Sequence, residues 1–170
     1  MERGRGDKAP DHHLPGRCEW GKANGHFARS VCGGFPLKKR KPEAFGKRKR
    51  VLVIDDEVEL CSLLEAVLTD EGYAVLSCCD PEEGLRLARK ERPHLVLLDL
   101  RMPKMDGIQV LQEMKKHDET IRVIIITGFT NISQARDAIR LGAHDYITKP
   151  FDLSYIKAVV RDALEPASWA

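Results

Sequence analysis

Five short apolar runs, each followed by a stretch of helical spacing, constrain the fold of this chain more than any other feature. Val51-Leu52-Val53-Ile54, Leu95-Val96-Leu97-Leu98 and Val123-Ile124-Ile125-Ile126 are continuous and rich in leucine and β-branched residues. Runs this short and unbroken read as strands covered on both faces, the condition of a parallel sheet. Strands are predicted at 51–55, 74–78, 95–99, 123–127 and 144–148. The first helix is predicted at 57–70, with Leu60, Leu64, Val67 and Leu68 on one face and Gly72 as its stop. Asp80-Pro81-Glu82-Glu83 opens the second: Asp80 is the N-cap, Pro81 takes the first helical position, Glu83 stands three residues after the cap, and Pro93 closes the helix. Helices at 107–117, 132–141 (stopped by Gly142) and 153–164 complete five βα units. That alternation predicts one α/β domain built on a doubly wound, five-stranded parallel sheet.

Charge gathers at the ends of these runs. The first ends in Asp55-Asp56, the third in Asp99, and the fifth is followed by Lys149-Pro150. Open α/β sheets bind ligands beyond the carboxyl ends of their strands. Two neighbouring strands would bring three carboxylates together there, and like charges that close need a compensating cation. Acids combined with a lysine point to a site for Mg2+ and a phosphoryl group.

The formal net charge of +2 conceals an asymmetry. Residues 1–49 hold 13 Lys+Arg and 5 Asp+Glu, a net of +8, whereas residues 50–170 hold 15 and 21, a net of −6. Residues 1–49 also lack any sustained period, so they are predicted to be a basic disordered arm. The clusters Lys38-Lys39-Arg40-Lys41 and Lys47-Arg48-Lys49-Arg50 read first as a solvated tail. Nucleic-acid contact through 38–50 is the sharper alternative, since such clusters bind phosphates without sequence specificity; a nuclear-import signal has the same composition. No stretch approaches the roughly 20 apolar residues of a membrane span, and the basic N-terminus has no apolar core of a signal peptide. Five cysteines, with Cys78 and Cys79 adjacent, form no disulfide framework and suit a reducing cytoplasm. Cys18, Cys32, His12, His13 and His26 lack the spacing of a zinc site.

Four segments in order resemble the receiver domain of two-component response regulators. They are Val-Leu-Val-Ile-Asp-Asp-Glu at 51–57, Leu-Leu-Asp-Leu-Arg-Met-Pro-Lys-Met-Asp-Gly at 97–107, Ile-Ile-Thr-Gly at 125–128 and Asp-Tyr-Ile-Thr-Lys-Pro-Phe at 145–151. The resemblance covers residues 50–166 as the receiver domain, leaving 167–170 as a tail, and implies the flavodoxin-like strand order 2-1-3-4-5. It implies Asp99 as the phosphoacceptor, a carboxylate nucleophile that forms an acyl phosphate. It implies Asp56 as a direct Mg2+ ligand, Asp55 as a ligand through water or as its support, and the backbone carbonyl of Arg101 as a further ligand. Lys149 is expected to pair with Asp99 and then with a phosphoryl oxygen, ahead of a cis Lys149–Pro150 bond. Thr127 and Tyr146 fall at the family's switch positions.

The partners so implied are a sensor histidine kinase and a downstream protein that reads the face of helix 4, strand 5 and helix 5; a dimer stays open. The expected role is a phosphoacceptor switch rather than an enzyme with an external substrate. Arg101 and Phe129 stand where this family tunes dephosphorylation, and neither side chain suits the positioning of water, so a slow intrinsic rate is expected. The chain stops at Ala170, soon after the last helix, which predicts a single-domain regulator. The alternative is a receiver fragment of a nucleic-acid-binding transcription factor, or a regulator that acts as one. An aspartate-nucleophile hydrolase is disfavoured, because Leu100-Arg101 replaces its Asp-x-Asp motif, and no G-x-G-x-x-G follows the first strand.

Overall fold

The computed structural model describes residues 48–128 and 132–165. The arm up to residue 47, Phe129 and the tail lie outside the described residues. The elements alternate as β1 (Arg50–Ile54), α1 (Val58–Asp70), β2 (Ala74–Cys78), α2 (Pro81–Glu91), β3 (Leu95–Leu98), α3 (Gly107–His117), β4 (Arg122–Thr127), α4 (Ile132–Arg140), β5 (Asp145–Thr148) and α5 (Leu153–Leu164). All strand pairs are parallel, in the order β2-β1-β3-β4-β5. The strand order reverses between β1 and β3, the crevice where doubly wound sheets place ligands.

The continuous apolar runs become the middle of this sheet. Leu52, Ile54, Val96, Leu98, Val123 and Ile125 face one side and pack with Ala88, Val110, Leu111, Met114 and Ala138 of α2, α3 and α4. Val51, Val53, Leu95, Leu97, Ile124 and Ile126 face the other and pack with Cys61, Leu64, Leu68, Ile156 and Val160 of α1 and α5. Each strand residue therefore buries its side chain whichever way it points, which is why these runs show no polar alternation.

Local signals fix the helix ends. The Asp80 carboxylate accepts from the backbone N–H of Glu82 (3.0 Å) and Glu83 (3.2 Å), with Pro81 in the first turn. Glu83 turns its own carboxylate to Arg86 at 2.6 Å. Asp106 and Asp152 cap α3 and α5 in the same way. Gly72 and Gly142 follow α1 and α4 with φ of 96° and 91°, a left-handed backbone that glycine adopts without a Cβ penalty. The second helix ends at Glu91, and its C-cap Arg92, just ahead of Pro93, takes a left-handed φ of 45°.

Two strands stop one residue short of their predicted ends, at the last residue of their apolar runs. β1 ends at Ile54 and β3 at Leu98, so Asp55 and Asp99 stand just beyond the ladder. Their N–H groups stay paired: Asp55 donates to the Cys78 carbonyl at 3.3 Å and Asp99 to the Ile54 carbonyl at 2.9 Å. The backbone at both carboxylates is thereby held by the sheet while the side chains leave it.

Candidate functional site

The strand ends bring together residues that are distant in sequence. Carboxylate oxygens of Asp55, Asp56 and Asp99 lie within 4.8 Å of one another. Asp55 and Asp99 are buried and Asp56 is exposed. Lys149 follows β5, its N–H bonded to the Thr127 carbonyl (2.8 Å), and the Lys149–Pro150 bond is cis. Its ammonium lies 2.7 Å from Asp55 Oδ2, 2.7 Å from Glu57 Oε1 and 3.8 Å from Asp99 Oδ2. The pairing expected of Lys149 with Asp99 is thus the longest of three. Three carboxylates compete for one ammonium, and the two on the β1 side hold it at hydrogen-bond distance.

Asp55 has two jobs. Its Oδ2 takes the lysine, and its Oδ1 accepts from the Glu57 N–H (2.9 Å), so it also ties down the start of α1. Burial pushes the Asp55 carboxyl above the usual range; Lys149 and the Glu57 N–H pull it back, and the Asp99 charge adds to the rise. The net shift is upward. Asp99 is raised for the same first reason, burial, against the pull of Lys149, the Arg101 and Leu100 N–H groups and the Thr127 hydroxyl. Burial alone would lower Lys149, but its bonds to Asp55 and Glu57 outweigh that and leave it raised.

One atom in this pocket lacks a partner. Asp99 Oδ1 is buried and takes no hydrogen bond among the described residues. A buried carboxylate oxygen left unpaired carries its desolvation cost uncompensated. Three carboxylates supply hard oxygen donors, and hard divalent cations such as Mg2+ prefer those. The residues present fit that ion, and it would satisfy the orphaned oxygen.

The β3–α3 loop is wedged against Asp99 by Gly107. Its N–H donates to the Leu100 carbonyl at 3.0 Å, and a Cβ built there would overlap the Asp99 carbonyl oxygen and the Leu100 Cα. Both obstacles are backbone, so neither can swing aside. Gly107→Ala is expected to cost about 2–3 kcal/mol, read as a lower denaturant midpoint at unchanged slope. A cost under about 0.5 kcal/mol would mean that the loop yields freely.

Thr127 is fully buried at the end of β4. Tyr146, beside Ile125 in the register, is half-buried against the core under α3 and α4. Its phenol is pushed up by burial and by the Asp99 charge, which places it in the field of the acidic cluster. Arg101 is exposed at the start of the β3–α3 loop.

Residues 51–161 match the model of the response regulator receiver domain. The chain belongs to this family. Among curated relatives, sporulation initiation phosphotransferase F of Bacillus subtilis (strain 168) is 39% identical over 116 residues, 68% of this chain and 94% of that protein. The probable transcriptional regulator ycf27 of Porphyridium aerugineum is 41% identical over 118 residues, 69% of this chain and 49% of its own length. The chain therefore spans about half the length of the ycf27 regulators it matches. Among solved structures, a CheY-like receiver domain protein from Methanospirillum hungatei JF-1 superposes with a TM-score of 0.68 at 27% identity, covering 70% of this chain and 95% of that one. The receiver domain of NtrX from Brucella abortus gives 0.65 at 37% identity, covering 69% and 99%.

This receiver works in two-component phosphorelay signalling, and receiver domains are phosphoacceptor switches. No helix among the described residues is long and apolar enough to cross a membrane. One residue of the pocket carried no assigned role in the sequence reasoning: Glu57. Its signal was present as the third acid of Asp55-Asp56-Glu57, at the end of the first motif.

Proposed function

We propose that Asp99 accepts a phosphoryl group from a sensor histidine kinase and that this chain signals by the change of shape that follows. The observation that carries the reading is the buried Asp99 carboxylate, with one unpaired oxygen, set among Asp55, Asp56 and Lys149. An Asp99 oxygen attacks phosphorus and forms an acyl phosphate, while the donor leaves with the electron pair of the broken bond. Lys149 lies near enough to shift from the β1 side to a phosphoryl oxygen, where negative charge gathers. Mg2+ would be held by Asp55, Asp56, Asp99 and the Arg101 carbonyl, and when bound it neutralises charge on phosphoryl oxygens. The Thr127 hydroxyl, already directed at Asp99, is the donor that follows the phosphoryl group. Tyr146 then turns on its strand, and the surface of α4, β5 and α5 presents a changed shape to a downstream protein. The protein acts as a cytoplasmic switch and catalyses only its own phosphorylation and dephosphorylation.

The test is incubation of the native chain with acetyl phosphate and Mg2+. One added phosphoryl group is expected by intact mass, removed by hydroxylamine as an acyl phosphate is, mapped to Asp99, and absent when EDTA is present. No incorporation, or a label that resists hydroxylamine, would overturn the assignment.

A further inference from the structure

Glu57 stands outside the set just described, yet its carboxylate is as close to Lys149 as any. It is the N-cap residue of α1, and its side chain makes no cap bond. An acid at a helix N-terminus ordinarily gains from facing the free N–H groups. Glu57 reaches away from them to the ammonium at 2.7 Å. Lys149 thus spends two of its three donors on the β1 side, with Asp99 Oδ2 beyond hydrogen-bond distance at 3.8 Å.

Its third donor is left for a phosphoryl oxygen on Asp99, and a move of the ammonium toward Asp99 stretches the two bonds on the β1 side. The two differ in exposure. The Asp55 side chain is 3% exposed, whereas that of Glu57 is 60% exposed. Water and salt screen the Glu57 pair and leave the Asp55 pair strong. Glu57 is therefore the more weakly held of the two partners. We infer that Glu57 is a positioning residue that holds Lys149 back from Asp99 in the unphosphorylated protein and so sets how readily the phosphorylated form is reached. The inference rests on the assignment of Asp99 as phosphoacceptor.

The experiment uses the full chain and beryllofluoride, a phosphoryl mimic, at Mg2+ saturating for each variant. Glu57→Gln keeps the shape and removes the charge. It is expected to bind beryllofluoride about two- to five-fold more tightly than the native chain, the range of an exposed ion pair. That advantage is expected to shrink in high salt, and Glu57→Asp, which keeps the charge, is expected to restore part of the native affinity. In metal-free protein, a double-mutant cycle of Glu57→Gln with Lys149→Met is expected to show favourable coupling. Equal or weaker binding by a folded Glu57→Gln variant, or a coupling of zero, would overturn the inference. Asp99→Asn separates the two readings. If it fails to bind while Glu57→Gln matches the native chain, only the role of Glu57 falls. If it binds as the native chain does, the assignment of Asp99 falls and the inference with it.

Discussion

Asp99→Asn is expected to abolish acyl-phosphate formation and, in the absence of metal, to make the protein more stable. The first effect is chemical, since an amide cannot serve as the carboxylate nucleophile. The second follows from the charge balance of the pocket. Asp99 is buried, its Oδ1 is unpaired, and the one nearby ammonium is bonded to Asp55 and Glu57 instead. Its negative charge is therefore only partly compensated: burial raises its pKa against the pull of Lys149, the Arg101 and Leu100 N–H groups and the Thr127 hydroxyl. An isosteric neutral side chain removes that cost, for an expected gain of about 1 kcal/mol in metal-free buffer. Added Mg2+ should reverse the order. A ligand that binds only the folded chain stabilises it by about 2.7 kcal/mol at 100 times its dissociation constant. The native chain, with three carboxylates, gains this in full, and the variant, with two, gains less. Thermal melts of both proteins with EDTA and with Mg2+ should cross. An Asp99→Asn variant less stable than the native chain in EDTA would mean that the acidic cluster carries no net repulsion.

Much of the architecture was legible because the central strands are buried on both faces. Runs such as Val51–Ile54 and Val123–Ile126 have few alternatives once they are followed by stretches of helical spacing. The Asp80-Pro81 cap and the Gly72 and Gly142 stops are local devices, so the sequence displays them directly. What burial on both faces hides is direction. Asp55 and Asp56 are neighbours of identical chemistry, and only the turn after β1 decides that Asp55 goes inward to Lys149 and Asp56 faces outward. The choice of partner by Lys149 was likewise invisible. Asp55, Glu57 and Asp99 all lie within 4 Å of it, and their order depends on side-chain rotamers that no spacing rule encodes. The wedge at Gly107 was readable as a helix start but not as a close contact with the Asp99 backbone, which is a property of the folded loop.

Lys149→Met is the substitution expected to damage both chemistry and stability. Methionine keeps much of the stem and removes the charge. Loss of a positioned donor for developing phosphoryl charge typically costs about 10²- to 10³-fold in rate, so labelling by acetyl phosphate should slow by that order at saturating Mg2+. Stability suffers because Asp55 is left buried without its cation. Breaking a buried pair from one side commonly costs about 3–5 kcal/mol; Lys149 is partly exposed, so about 2–3 kcal/mol at neutral pH is expected. The pH dependence identifies the cause. The folded-state pKa of Asp55 already lies above its ordinary value, and Lys149 is one of the groups pulling it down. Without the lysine it rises further. A carboxyl raised in the folded state contributes stability below its unfolded pKa, and that contribution is lost as pH rises through the folded value. The deficit of Lys149→Met relative to the native chain should therefore be full at neutral pH and shrink towards pH 4, as Asp55 takes up a proton in place of its ion pair. Denaturation midpoints of both proteins across that range, without Mg2+, measure it. A deficit that stays constant with pH would assign the loss to packing of the lysine stem rather than to the stranded charge on Asp55.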